Sequence, residues 1–291
     1  EPQVFIGAGH YEGRHAPGDR LRFAEVLRAG HHALLAHGRA VQVLRASAGP
    51  SQIGFAPVGL GKIPATESAT DIEAARRRMF EVSAKTSWTN SWWMDPVFLG
   101  RYPEDGLAFY GNEAPPILAG DMETIAQPVD FFGVNIYEGQ YIKAGPSGEP
   151  EVAPVPVGHP ITGFNWNVTP EAMYWALRFF HERYKKPLVI TENGISCRDW
   201  VSLDGQVHDP GRIDFTQRYL LQLHRAVEEG VPVLGYFHWS ILDNFEWAEG
   251  YKQRFGMVFV DYPSQKRILK DSARWYREVI QSNGRSLLSQ G

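Results

Sequence analysis

Pro187-Leu188-Val189-Ile190-Thr191-Glu192-Asn193-Gly194 is the stretch from which the fold can be read. Leu188, Val189 and Ile190 form a short apolar run after a proline, the pattern of a strand buried on both faces in a parallel sheet. Thr191 and Glu192 follow it directly, and Asn193-Gly194 is a turn signal. The carboxylate is therefore delivered to the C-terminal mouth of the strand. In a barrel of alternating strands and helices, catalytic groups sit at that end. A glutamate that caps or salt-bridges a loop gives the same local pattern, so this run alone leaves both readings open.

A second stretch bears on the choice. Another apolar run, 231–237, opens into His238-Trp239-Ser240-Ile241-Leu242-Asp243-Asn244-Phe245-Glu246-Trp247, followed by Gly250-Tyr251 and Arg254-Phe255-Gly256. Indoles and carboxylates gathered just past a strand suit a sugar, whose C–H faces stack on aromatic rings while its hydroxyls bond to acids and amides. Taken singly, Trp239 and Trp247 read equally well as core residues.

These two stretches together resemble the retaining β-glycosidases of glycoside hydrolase family one, the β-glucosidases. The resemblance extends along nearly the whole chain. Asp130-Phe131-Phe132-Gly133-Val134-Asn135-Ile136-Tyr137 is similar to the family's sixth-strand motif, Trp166 with Pro170-Glu171 to the start of its sixth helix, and Glu1-Pro2 to the end of its Asn-Glu-Pro motif on strand four. The implied fold is a (β/α)8 TIM barrel, with residues 1–291 as a single catalytic domain reaching from the end of strand four to strand eight.

The resemblance also implies a mechanism and a set of roles. Two carboxylates about 5 to 5.5 Å apart flank the glycosidic bond in a retaining enzyme. Glu192 is the expected nucleophile, and Glu1 the expected acid/base. Tyr137 is expected to hydrogen-bond the nucleophile and so to favour its carboxylate form. The two acids must differ in pKa for the chemistry to run. Glu246 resembles the acid that accepts bonds from distal sugar hydroxyls, Trp239 the stacking platform and Trp247 a donor to a ring hydroxyl, while Asn135 shapes the pocket near the 2-hydroxyl. Trp166 and Phe255 complete the expected substrate contacts. A buried Glu246 carboxylate repels a sugar 6-phosphate. The expected substrate is thus a small unphosphorylated β-glucoside, β-fucoside or β-galactoside, or an oligosaccharide ending in one, and no cofactor or metal is expected.

Composition is consistent with this. A chain of 291 residues buries a substantial core, and a net charge of −4 with mixed signs gives no reason to expect nucleic acid or an anionic membrane surface as partner. Cys197 is the only cysteine, which fits a reducing compartment, and no apolar run approaches the roughly 20 residues of a membrane span. A cytoplasmic location is expected. His31, His32 and His37 share a helix, but no acidic or cysteine partner is spaced with them, so a metal site is not expected there.

In chain order, glycine and histidine in 3–19 predict a loop, and apolar spacing predicts helices over about 22–45, 71–84, 171–184, 215–229 and 271–281. Trp88, Trp92 and Trp93 either line a substrate entrance or seal helices against the barrel. The segment 139–163, dense in proline and glycine, predicts a long loop at the barrel mouth. Parallel strands are predicted near 51–58, 129–137, 187–192 and 232–238. A closed barrel of this kind needs eight, and the first residue is not Met. The chain is therefore expected to be the C-terminal part of a family-one enzyme, without the strand-one glutamine, the strand-three His-Trp pair and the asparagine before the acid/base. Activity is expected to need a complementing N-terminal segment, and without it the chain is expected to be an inactive or merely sugar-binding piece. A free α-ammonium at Glu1 is also expected to favour the ionised form of its carboxylate and so to oppose its role as an acid.

Overall fold

The computed structural model describes residues 1–47 and 49–288. Its centre is a four-stranded parallel sheet of Gly54–Phe55, Phe131–Asn135, Leu188–Asn193 and Val233–His238, lying side by side in chain order. Helices Glu171–Tyr184, Pro210–Glu228 and Asp271–Gln281 follow the last three strands. Parallel neighbours joined by helical crossovers are the repeating unit of a (β/α)8 barrel.

Alternation along the strands sets the layers. Phe132, Val134 and Ile136 are buried, as are Leu188 and Ile190, and they pack with Met173, Leu177, Phe179 and Phe180 of one helix and Phe215 and Tyr219 of the next. Gly133, Asn135 and Tyr137 share the opposite face of their strand, where a Cβ on Gly133 would lie 2.9 Å from Thr191 Cγ2. A second core forms where helix Phe23–Ser47 sets Phe23, Val26, Leu27 and Leu34 against Trp92, Trp93, Tyr102 and Tyr110. His31 belongs to this core, bonded to the Tyr102 hydroxyl (2.9 Å) and to Asp121 (3.0 Å).

Several expectations need correction. The segment Gln3–Tyr11 is a wide helical turn rather than a loop, with the Glu12 N–H bonded to the Gly7 carbonyl at 3.0 Å. Its glycines serve close packing, since a Cβ on Gly7 would come 2.0 Å from Ser87 Oγ. The strand expected over 51–58 is only Gly54–Phe55, because Pro57 has no N–H to give the ladder; Val58 still bridges Asn135. The helix expected over 71–84 is Ala69–Phe80, started by Ser68, whose Oγ accepts the Asp71 N–H. The long loop contains strands Gly139–Ala144 and Pro150–Val152, which form an antiparallel pair beside Gly61–Pro64. An unforeseen hairpin, Val258–Asp261 with Lys266–Leu269, follows the last barrel strand. The tryptophan trio divides: Trp92 and Trp93 are buried among the helices, whereas Trp88 faces a cavity.

No helix among the described residues is long and apolar enough to cross a membrane.

Candidate active site

Strand Phe131–Asn135 and the residues just beyond it organise the site. Asn135 and Tyr137 are two residues apart, so their side chains leave the same face of the chain. Asn135 Nδ2 donates to Glu1 Oε1 at 2.6 Å, and the Tyr137 hydroxyl donates to Glu192 Oε2 at 2.7 Å. One short segment thus orients both carboxylates. Asn135 is itself fixed by the Thr191 hydroxyl on the next strand (2.5 Å).

The next two mouths are locked together. Asn193 donates to the Ile136 carbonyl (2.8 Å) and accepts from the Tyr236 hydroxyl (2.8 Å), and the Trp239 N–H donates to the Asn193 carbonyl (2.8 Å). Gly194 follows because the two loops touch: a Cβ there would lie 1.8 Å from the Trp239 carbonyl oxygen.

A cavity of about 450 Å³ opens at this end of the sheet. Eight of the nine residues singled out from the sequence line it: Glu1, Tyr137, Trp166, Glu192, Trp239, Glu246, Trp247 and Phe255. Asn135 is buried behind Glu1. Trp166 stacks on Phe164 with ring centres 4.7 Å apart and lies 5.3 Å from the Tyr137 ring. The Trp239 indole lies beside the Glu246 carboxylate and favours its ionised form. Trp247 is half exposed, its ring stacked on His15.

Phe164, Glu138, Arg14, His15 and Glu249 also line the cavity and were not among the sequence candidates for the site, and Trp88 lines it too, the entrance-lining alternative of its trio. Phe164 was legible in Phe164-Asn165-Trp166: Asn165 has φ 62°, a turn that brings the two flanking rings face to face. His15 and Arg14 carried no such signal, because their segment reads as loop.

Electrostatics in the cavity differ from expectation. The Tyr137 bond does favour the ionised form of Glu192, but burial and the charges of Glu1 and Glu246 outweigh it and push Glu192 up to about 7. Burial also raises Glu246, against the opposing pull of the Trp239 indole. The Tyr137 phenol is held well above its ordinary value by burial and by Glu192.

The loop carrying Trp239, Glu246 and Phe255 rests on a buried ionic cluster. Asp243 accepts from Arg254 (2.5 Å), Lys270 (2.9 Å) and the Gly256 N–H (3.0 Å). Lys270 also reaches Asp199 (2.6 Å). Arg212 pairs with Asp199 (2.8 Å) and with Asp209, and donates to the Arg254 carbonyl (2.8 Å). Three cations face three anions, so the charge is matched inside the fold.

A cavity that gathers Glu1, Glu192 and Glu246 at the C-terminal mouth of parallel strands, among aromatic residues, is the geometry against which known proteins compare. The sequence profile described as Glycosyl hydrolase family 1 matches residues 1–285. Beta-glucosidase A of Thermotoga maritima is 43% identical over 285 residues, covering 98% of this chain and 62% of the relative. The 1,4-beta-D-glucan glucohydrolase of Thermotoga neapolitana is 41% identical over 285 residues, covering 98% and 63%. The solved structure of the beta-glucosidase from Thermotoga maritima in complex with deoxynojirimycin superposes with a TM-score of 0.83 at 40% identity, over 98% of this chain and 62% of that one. The chain therefore spans somewhat over three-fifths of these relatives' length, on the fold of a family-1 barrel. With the profile running across almost every residue, the chain belongs to glycosyl hydrolase family 1.

Proposed function

We propose that residues 1–291 supply the catalytic pair and the sugar-holding wall of a retaining β-glucosidase, acting as part of one (β/α)8 catalytic domain. The observation that carries this reading is the joint anchoring of Glu1 by Asn135 and Glu192 by Tyr137 from one strand face, inside one cavity. Glu192 attacks the anomeric carbon and forms a glycosyl-enzyme as Glu1 protonates the departing oxygen. Glu1 then takes a proton from water, which releases the sugar with retained configuration. Tyr137 holds the attacking carboxylate in place. Trp239 and Glu246 hold the terminal sugar, and the Glu246 carboxylate disfavours a 6-phosphate. The substrates are unphosphorylated terminal β-glucosides, with β-fucosides and β-galactosides as close alternatives. The single cysteine supports a cytoplasmic setting.

The test is covalent trapping with a 2-deoxy-2-fluoro-β-glucoside, followed by peptide mapping. Label is expected on Glu192 and is lost in Glu192→Ala, and an aryl β-glucoside is expected to be turned over in strong preference to its 6-phosphate. Label on Glu246, or preference for the phosphorylated sugar, overturns the reading.

A further inference from the structure

Glu192 is aimed by an irregularity in its strand, and Thr191 is the residue that makes it. Val134 pairs with Ile190, but Asn135, the next residue, pairs with Glu192, so Thr191 is one residue more than the neighbouring strand can match. In a regular strand Thr191 and Glu192 leave opposite faces. The bulge turns both toward the face that carries Asn135 and Tyr137, to which they bond.

Thr191 is held there at two points. Its methyl fills the space that Gly133 leaves, since a Cβ on Gly133 would lie 2.9 Å from Thr191 Cγ2. A β-branched side chain is stiff about its first torsion, and with the methyl seated the hydroxyl donates to Asn135 Oδ1 at 2.5 Å. That bond decides what Asn135 does. A side-chain amide accepts at its oxygen and donates at its nitrogen. With the oxygen taken by Thr191, Nδ2 faces Glu1 Oε1 and donates to it at 2.6 Å. Asn135 is buried, so water does not compete for either end. A carboxyl group whose Oε1 accepts an N–H bond carries its proton on Oε2.

We propose that Thr191 is a positioning residue for the general acid, acting through Asn135 to fix the Glu1 carboxyl with Oε2 as its proton-bearing oxygen. That proton passes to the leaving oxygen as the glycosidic C–O bond breaks and the bond from Glu192 to the anomeric carbon forms. The proposal rests on the function given above. It makes the nucleophile and the residue that orients the acid consecutive members of one bulge.

The test is kcat/KM of the protein in its natural full length on phenyl and dinitrophenyl β-glucosides. Both report the steps up to the glycosyl-enzyme, but dinitrophenolate departs without a proton whereas phenolate needs the acid. Thr191→Val keeps the seat against Gly133 and removes the hydroxyl. It is expected to lower kcat/KM about tenfold on the phenyl glucoside and to stay within about twofold on the dinitrophenyl glucoside, while Thr191→Ser retains most of both. If Thr191→Val does not fold, Thr191→Ala carries the same expectation. An equal fall on both substrates shows a merely structural role, and no fall on either shows that Asn135 holds its orientation unaided. Each of these overturns the proposal and leaves the β-glucosidase reading standing, as does a Thr191→Ser variant that falls as far as Thr191→Val. If the unsubstituted protein turns over neither glucoside, the proposed function falls and the positioning role with it.

Discussion

Glu192 is pushed up to about 7 because it is buried beside the charges of Glu1 and Glu246, and the Tyr137 bond offsets only part of that cost. A group whose folded pKa is raised contributes stability that is fully present below its unfolded pKa and is lost as pH rises through the folded value. For Glu192 the window runs from about 4.5 to about 7. Glu192→Gln removes the ionisation but keeps an oxygen to accept from Tyr137. The variant is therefore expected to gain stability over the parent as pH rises from 5 to 8, by on the order of 2 kcal/mol at the upper end. Thermal melts of both proteins across that range check the sign, and a difference that stays flat with pH would show that Glu192 is not the strained group. Glu192 also marks a limit of sequence reading. Its place at a strand mouth was legible in the apolar run before it, but its pKa was not, because the opposing charges come from residue 1 and residue 246, far away in the chain.

At the scale of elements, the loop of the last barrel strand depends on Asp243, which gathers a guanidinium, an ammonium and a backbone N–H at one buried point. Asp243→Ala leaves Lys270 and Arg254 short of a counter-charge inside the fold. Removing one partner of a buried ion pair typically costs about 3–5 kcal/mol. Chemical denaturation is expected to show a loss of that order, and Trp239 and Glu246 lose their fixed positions with it. A loss under about 1 kcal/mol would mean that water reaches the cluster and replaces the carboxylate. None of this was visible in the sequence, where Asp199, Asp209 and Arg212 fall in the loop before the helix expected over 215–229. What was legible had local period or uninterrupted apolar character. Strand Leu188–Asn193 and helix Glu171–Tyr184 fall almost where their patterns put them. Gly139–Ala144 was hidden because its ladder is completed by Gly61–Pro64, far away in sequence, while proline and glycine around it signal a loop. The Val258–Asp261 hairpin carried no alternating signal, since Val258-Phe259-Val260 is an unbroken apolar run and Lys266-Arg267 precedes Ile268-Leu269 on its partner.

For the molecule as a whole, the sheet determines what residues 1–291 can do by themselves. Its four parallel strands run in chain order, and the last, Val233–His238, pairs on one side only among the described residues. Leu234 and Phe237 on that strand are 58% and 62% exposed. A free strand edge flanked by exposed apolar side chains invites pairing with other chains. A closed eight-stranded barrel has no such edge, and the relatives are longer by the share this chain does not cover, spanning it over only 62% of the Thermotoga maritima enzyme. Closing the barrel would also complete the ring of groups around the cavity that Glu1, Glu192 and Glu246 share. Residues 1–291 produced alone are therefore expected to self-associate and to hydrolyse an aryl β-glucoside little or not at all. Activity is expected to return when a segment corresponding to the rest of the relatives' length is supplied, either fused or in trans. Size exclusion and circular dichroism establish the state of the chain in each case, and the aryl β-glucoside assay reads the outcome. Rapid turnover by a monodisperse, mass-verified 291-residue monomer would show that four strands suffice, and that the exposed edge has no bearing on the site.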